Sequence, residues 1–353
     1  MKTQNVSAIQ IAMVYIGTVV GAGFATGQEI LQFFVAFGLP GLWGIVLSTG
    51  LFILFGVMTM QLGLTFHARS HLAIVTHLGG GFFRTLMDGL ILFSLFCGLT
   101  AMMAGTGALF EQQLGLPAVL GSFIMGALSV ITVLAGLRGV ISAISAIVPF
   151  LLLAVMGIGL YMLISAPITI PSEAESARGS LMGNWLLAAL LYASYNIMMS
   201  ISVLGPLGAV AKSKRAVTLG GALGGMGLGL ASAMIYFTLS AVDAQTRTLE
   251  VPILAIAGRI VPIAGAFYAV ILIAEVYTTA VGGLFGLSAR LCQKSSWQTY
   301  SARVIICTAM IAFFASLFGF SNLVRYVYPL QGYGGFVLLL ALILAKFRKP
   351  RTR

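Results

Sequence analysis

The sequence predicts an all-α polytopic membrane protein of ten transmembrane helices arranged as a five-plus-five inverted repeat, and three observations predict it. The chain is 59% hydrophobic and 8% charged over 353 residues, a composition outside that of soluble domains. A hydropathy window of about 19 residues resolves ten apolar spans. The longest polar interruption, residues 165–183, leaves five spans on each side, so the second five enter the membrane upside down relative to the first. The expected organisation is a single integral membrane domain with halves at 7–165 and 184–348.

The spans fall roughly at 8–36, 40–66, 85–111, 117–137, 140–165, 184–206, 215–241, 260–289, 302–320 and 325–346. Span one carries the stretch YIGTVVGAGFATGQE from Tyr15 to Glu29, punctuated by Gly17, Gly21, Gly23 and Gly27. Each glycine costs a helix about 1 kcal/mol relative to alanine. A continuous helix from Ser7 to Phe37 would measure about 46 Å, against a hydrocarbon core of about 30 Å. A break at the glycines is therefore expected, since irregular backbone at membrane depth is tolerated where it lines a cavity or is buried in protein. Gly38-Leu39-Pro40-Gly41 makes the turn into span two. His67, His71 and His77 follow that span without acids or cysteines nearby in sequence, which disfavours a metal site. Asp88, one turn after Arg84 at the start of span three, reads as half of an ion pair. The interruption after span five holds Pro167, Pro171, Glu173, Glu175 and Arg178. Span six, LLYASYNIMMSISVLGPLG, sets Ser194, Tyr195, Asn196, Ser200 and Ser202 at mid-membrane and is expected to be as irregular as span one. The glycines of span seven, 220, 221, 224, 225, 227 and 229, fit close packing of helices. Residues 241–262 form a loop with some helix.

Span eight holds Glu275 about halfway along. A carboxylate there is costly unless paired, hydrated or protonated, and is functional by default. Tyr268, Glu275, Thr279, Gly282 and Gly286 share one stripe with Thr278 at its edge. Threonine hydroxyls beside freed backbone carbonyls supply hard oxygen ligands for sodium, while Glu275 could join them, take up a proton, or simply bond a neighbouring helix. Glu29, beyond the glycine break, could neutralise a cationic solute, couple to protons or gate, or tie span one to a neighbour.

Fifteen of the nineteen basic residues fall on one side when the N-terminus is placed inside. They are Lys2, Arg69, Arg84, Arg138, Lys212, Lys214, Arg215, Arg290, Lys294, Arg303, Lys346, Arg348, Lys349, Arg351 and Arg353. This sets both termini in the cytoplasm. The net charge of +11 thus reads as membrane orientation, with the lipid bilayer as partner and no nucleic acid. Residues 1–7 lack a cleavage signature, so span one is expected to stay in the protein. Cys97, Cys292 and Cys307 lack metal-ligand spacing and read as packing residues. No nucleophile constellation or nucleotide loop is present, and GAGFATG lies in no βαβ unit, so no enzymatic activity or organic cofactor is expected.

The motifs GTVVGAGFATGQEILQFF in span one and LLYASYN in span six resemble the YkvI-type membrane proteins, a group of amino-acid permeases in the amino acid-polyamine-organocation superfamily. The resemblance extends over the whole chain in span count and implies the LeuT fold, with spans one and six unwound and spans three and eight lining the same cavity. It implies that a solute carboxylate meets backbone amides near Gly21, Ala22, Gly23 and Phe24. The solute's amino group would meet Ser194, Tyr195, Asn196 and Ser200. It further implies a sodium ion at Gly17, Val20, Thr278 and Thr279. Some proton-coupled relatives place a span-five lysine there, and residues 140–165 contain none. Glu275 departs from the pattern of better-known members and leaves proton coupling open. The expected function is secondary active transport of a small organic solute, an amino acid first, by sodium symport in a bacterial cytoplasmic membrane. A proton-coupled carrier and a permease-fold nutrient sensor are the alternatives, and the protein is expected as a monomer or homodimer.

Overall fold

A computed structural model describes residues 6–68, 70–135, 140–167, 169–170, 181–292 and 301–347. Pro171, Glu173, Glu175 and Arg178 of the polar interruption lie outside them, as do Lys2, Arg69, Arg138, Lys294, Arg348, Lys349, Arg351 and Arg353 of the basic set. Spans two to eight are the helices Leu39–Phe66, Gly81–Leu114, Ala118–Ala135, Val140–Ser165, Trp185–Ala209, Lys214–Ser240 and Pro262–Leu291. Span nine is Ser301–Ser316, shorter than its apolar run. Span ten starts at Phe320 and widens into a π turn at Leu323–Val327 before continuing as Tyr328–Phe347. Pro329 accounts for that turn, because a proline lacks the amide its helix needs and crowds the carbonyl four residues back, here that of Arg325.

Span one is in pieces, Ala8–Val19, Ala22–Thr26 and Gln28–Phe33, as its glycines predict. Span six is not, which corrects the expectation of a second discontinuous helix. It contains no glycine between Trp185 and Leu204, and Ser194, Asn196 and Ser202 find partners without any break. Ser194 Oγ donates to the carbonyls of Leu191 (3.0 Å) and of Gly332 in span ten (2.7 Å). Asn196 Nδ2 donates to the Tyr192 carbonyl at 3.0 Å and Ser202 Oγ to that of Met199 at 3.2 Å. Side chains bonded back onto their own helix satisfy themselves on the existing ladder.

Spans one, two, six and seven pack closest, and glycine permits it. Gly220 and Gly224 of span seven face Ile11 and Tyr15 of span one, while Gly221, Gly225 and Gly229 face Val57, Ile53 and Thr49 of span two. Between spans two and six the backbones themselves touch. A methyl group at Gly63 would stand 2.0 Å from the Gly205 carbonyl oxygen, and one at Gly208 2.0 Å from that of Met60. Packing without a hydrophobic driving force favours such small-residue faces.

The two ends of the bundle are clamped differently. At the basic end Asp88 accepts from Arg290 of span eight at Nε (3.0 Å) and Nη2 (2.5 Å), and lies 3.2 Å from Nε2 of His71. This corrects the pairing with Arg84, which is exposed. A guanidinium fork arriving from another helix holds both carboxylate oxygens, and a same-helix arginine one turn away does not. His77 stacks on Phe66, with ring centroids 3.8 Å apart. Cys97 is buried, whereas Cys307 lies on an exposed face and packs against no core. At the other end the loop after span seven folds into helices Ala244–Arg247 and Pro252–Ile260. Asp243 caps the first through the Thr246 amide and hydroxyl, bonds that hold its carboxyl down to about 2. Gln28 donates to the Leu249 carbonyl at 2.7 Å, and Gln112 exchanges two hydrogen bonds with Val251. The loop is thus tied to the last piece of span one and to span three.

Candidate functional site at the break in span one

Val20 and Gly21 interrupt the helix with extended backbone, at φ −69°, ψ 117° and φ −132°, ψ −166°. The Val20 amide closes the last turn on the Ile16 carbonyl, and the ladder resumes with the Ala25 amide on the Gly21 carbonyl. Between these bonds lie the terminal carbonyls of the first piece and the first amides of the second, which a helix ladder leaves unpartnered. Gly27 makes a second interruption at φ 90°, a left-handed conformation that glycine adopts without strain.

Four other spans surround the break. A methyl at Gly21 would meet the Met102 methyl of span three at 3.2 Å, and Ala22 abuts Gly105. Tyr268 of span eight donates to the Ala25 carbonyl at 2.5 Å. Gly17 faces Val148 of span five. From span six, Tyr195 comes to the break while Ser194 turns toward span ten. Ser200 is buried with its hydroxyl unpartnered.

Glu29 does not point outward. Its side chain folds back over the break, so that a methyl at Gly23 would stand 2.3 Å from Oε1 and 2.6 Å from Cγ. The residue is 3% exposed. Its carboxylate faces the Phe24 amide and the Tyr195 hydroxyl, and Oε2 has no hydrogen-bond partner. The hydroxyls of Tyr192 and Tyr195 close no bond of ordinary geometry, and both, with Tyr328, lie in the field of the carboxylate. The rings pack on one another, Tyr192 to Tyr195 at 5.7 Å and Tyr195 to Tyr328 at 5.1 Å between centroids. The Phe24 amide is thereby already faced by a carboxylate of the protein itself, which also fills the space beside Gly23.

In span eight, Glu275 is 0% exposed and both of its oxygens lack partners. It lies two helical turns from Tyr268 on the same face. The Thr278 hydroxyl donates to the Glu275 carbonyl at 3.0 Å, spending its proton within the helix while its oxygen lone pairs remain. Thr279 is half-buried.

Span ten adds polar side chains that its hydropathy hides. Gln331 is 1% exposed with both ends of its amide unpartnered, and Ser94 of span three is buried with a free hydroxyl. The rule that marks Glu275, a polar side chain inside an apolar run, also marks Gln331 in VYPLQGYGGF. Beyond the break, toward the loop after span seven, a cavity of about 200 Å³ is lined by Ala104, Ala108, Glu111, Glu250, Gly319 and Phe320. Phe320, which lines the cavity, packs on Gly105, and Gly105 also abuts Ala22 at the break.

A broken first span enclosed by spans three, five, six and eight defines the class, a LeuT-fold integral membrane protein of the multi-pass kind. The backbone matches that of MhsT, solved in complex with L-phenylalanine, with a TM-score of 0.64 and 14% identity over 99% of this chain and 94% of that one. It matches Mhp1 in its inward-facing conformation with a TM-score of 0.63 and 18% identity, over 96% of this chain and 74% of that one. Mhp1 is described as a nucleobase-cation-symport-1 family transporter. No family model matches the chain. In sequence it is 32% identical over 357 residues to the Bacillus subtilis (strain 168) protein described as uncharacterized membrane protein YkvI, covering 100% of this chain and 99% of that protein. YyaD of the same organism is 30% identical over 338 residues, 94% of this chain and 95% of its own length. The chain belongs to the YkvI family of membrane proteins.

Proposed function

We propose that the protein is a secondary active transporter of a bacterial cytoplasmic membrane, with both termini in the cytoplasm, moving a small organic solute by alternating access. An amino acid is the leading solute and sodium the leading coupling ion. The observation that carries this reading is the extended backbone at Val20 and Gly21, held at the junction of five spans in a LeuT-like fold. Backbone of this kind buried in the bundle is the form in which such proteins build binding sites. The two halves, 7–165 and 184–348, are proposed as the inverted repeats that rock about it. Sodium is proposed at the carbonyls of Gly17 and Val20 with the hydroxyl oxygens of Thr278 and Thr279.

Proton coupling is the second reading, favoured by Glu275, whose two oxygens are buried without a partner. Uptake into proteoliposomes under a sodium gradient or a pH gradient separates the two. Thr279→Ala should weaken sodium-driven uptake and Glu275→Gln leave it largely intact, whereas a proton-driven carrier should lose uptake with Glu275→Gln. A sodium response untouched by Thr279→Ala removes the sodium assignment. Binding retained without uptake would turn the reading to a nutrient sensor.

A further inference from the structure

Resting on the transporter reading, we propose that the solute enters the central site through a protonated amine held by Glu29. Within the small organic solutes of that reading, the preferred class is then an organic amine without a carboxylate, which moves the zwitterionic amino acid from first place to second. Charge balance leads there. Glu29 is an acid inside the membrane interior, and the ion pairs among the described residues, at Asp88 and Asp243, do not involve it. Its Oε2 and the hydroxyls of Tyr192 and Tyr195 are buried acceptors without partners. An ammonium group brings three N–H donors and the positive charge that an ionised carboxylate requires at that depth. A carboxylate on the same solute would meet the negative charge of Glu29, which already faces the Phe24 amide and fills the space beside Gly23.

The test uses the full-length protein in lipid nanodiscs and pairs each amino acid with its decarboxylated amine, such as phenylalanine with phenethylamine and lysine with cadaverine. Thermal stabilisation and radiolabelled uptake are read for wild type, Glu29→Gln and Tyr195→Phe. At least one amine should bind 10-fold or more tightly than its amino acid. Glu29→Gln should abolish that preference, and Tyr195→Phe, which keeps the ring and spares the fold, should weaken amine binding several-fold. Amino acids binding as well as their amines would overturn the proposal and leave the transporter reading standing. Stabilisation by sodium alone that disappears in Glu29→Gln would also overturn it, by giving Glu29 to an inorganic cation. If neither class binds, both readings fall.

Discussion

Spans two and six offer the sharpest test of the packing, because two glycines on one helix have opposite surroundings. At Gly63 an added methyl would stand 2.0 Å from the Gly205 carbonyl oxygen and 3.0 Å from its Cα. Ordinary contact begins near ~3.5 Å, and the obstacle is backbone, which cannot rotate aside. The helices must part by about 1–1.5 Å, an overpacking that costs ~1–3 kcal/mol. At Gly50, in the same helix, nothing lies within 4 Å of an added methyl. Both substitutions gain about 1 kcal/mol of helix propensity, so that term cancels and the difference between the variants isolates the packing cost. At about 2 °C per kcal/mol for a chain of this size, Gly63→Ala should melt ~2–6 °C below Gly50→Ala. The assay is intrinsic-fluorescence unfolding of both variants purified in one detergent. Melting points within about 1 °C of each other would refute the backbone contact between spans two and six.

Two further outcomes are expected. Tyr268→Phe removes the bond that holds the second piece of span one to span eight; side-chain hydrogen bonds in membranes are worth ~0.6–1.7 kcal/mol, so solute affinity should fall about 3- to 20-fold. Unchanged affinity and melting point would mean that the hydroxyl positions nothing. His71 sits in the short helix outside the spans, where burial holds its pKa below the ordinary value. The unfolded chain then takes up a proton more readily than the native one, so stability is full above about pH 6.5 and is lost as pH falls through that value toward the lower native pKa. Melting between about pH 7.5 and 5.5 should show this loss in wild type and lose its slope in His71→Gln; an equal slope in both would place the titration elsewhere.

The sequence made span boundaries, the break in span one and the role of the span-seven glycines legible, because each rests on a local property. Hydropathy over about 19 residues and glycine spacing act through the backbone of a single helix. Span six departs from expectation for a related reason. Polar side chains at mid-membrane demand partners, but they do not reveal whether those partners are a broken backbone, the helix's own carbonyls or a neighbouring span. Ser194 found Leu191 and Gly332, and Asn196 found Tyr192. Asp88 fails in the same way, since the sequence offers Arg84 while the fold supplies Arg290 from 202 residues away. Gln331 was within reach of the rule applied to Glu275 and stood in a span judged by its hydropathy alone.

The position of Glu29 follows from Gly27 more than from the acid itself. In an unbroken helix residues 23 and 29 would lie about 9 Å apart along the axis and on different faces, and the carboxylate would have no access to Phe24. The left-handed turn at Gly27 redirects the chain, and the absence of a side chain at Gly23 leaves the space that Oε1 and Cγ occupy. A methyl at Gly27 would also meet Ile253 at 2.8 Å, so the second helix of the loop after span seven packs against the same point. The glycines of GAGFATGQE therefore do two separate things. Gly21 opens the helix, while Gly23 and Gly27 together bring an acid from the following turn to stand over the opening. The charge that faces the break is thus supplied by the piece of span one that follows it, on the far side of the Gly27 turn.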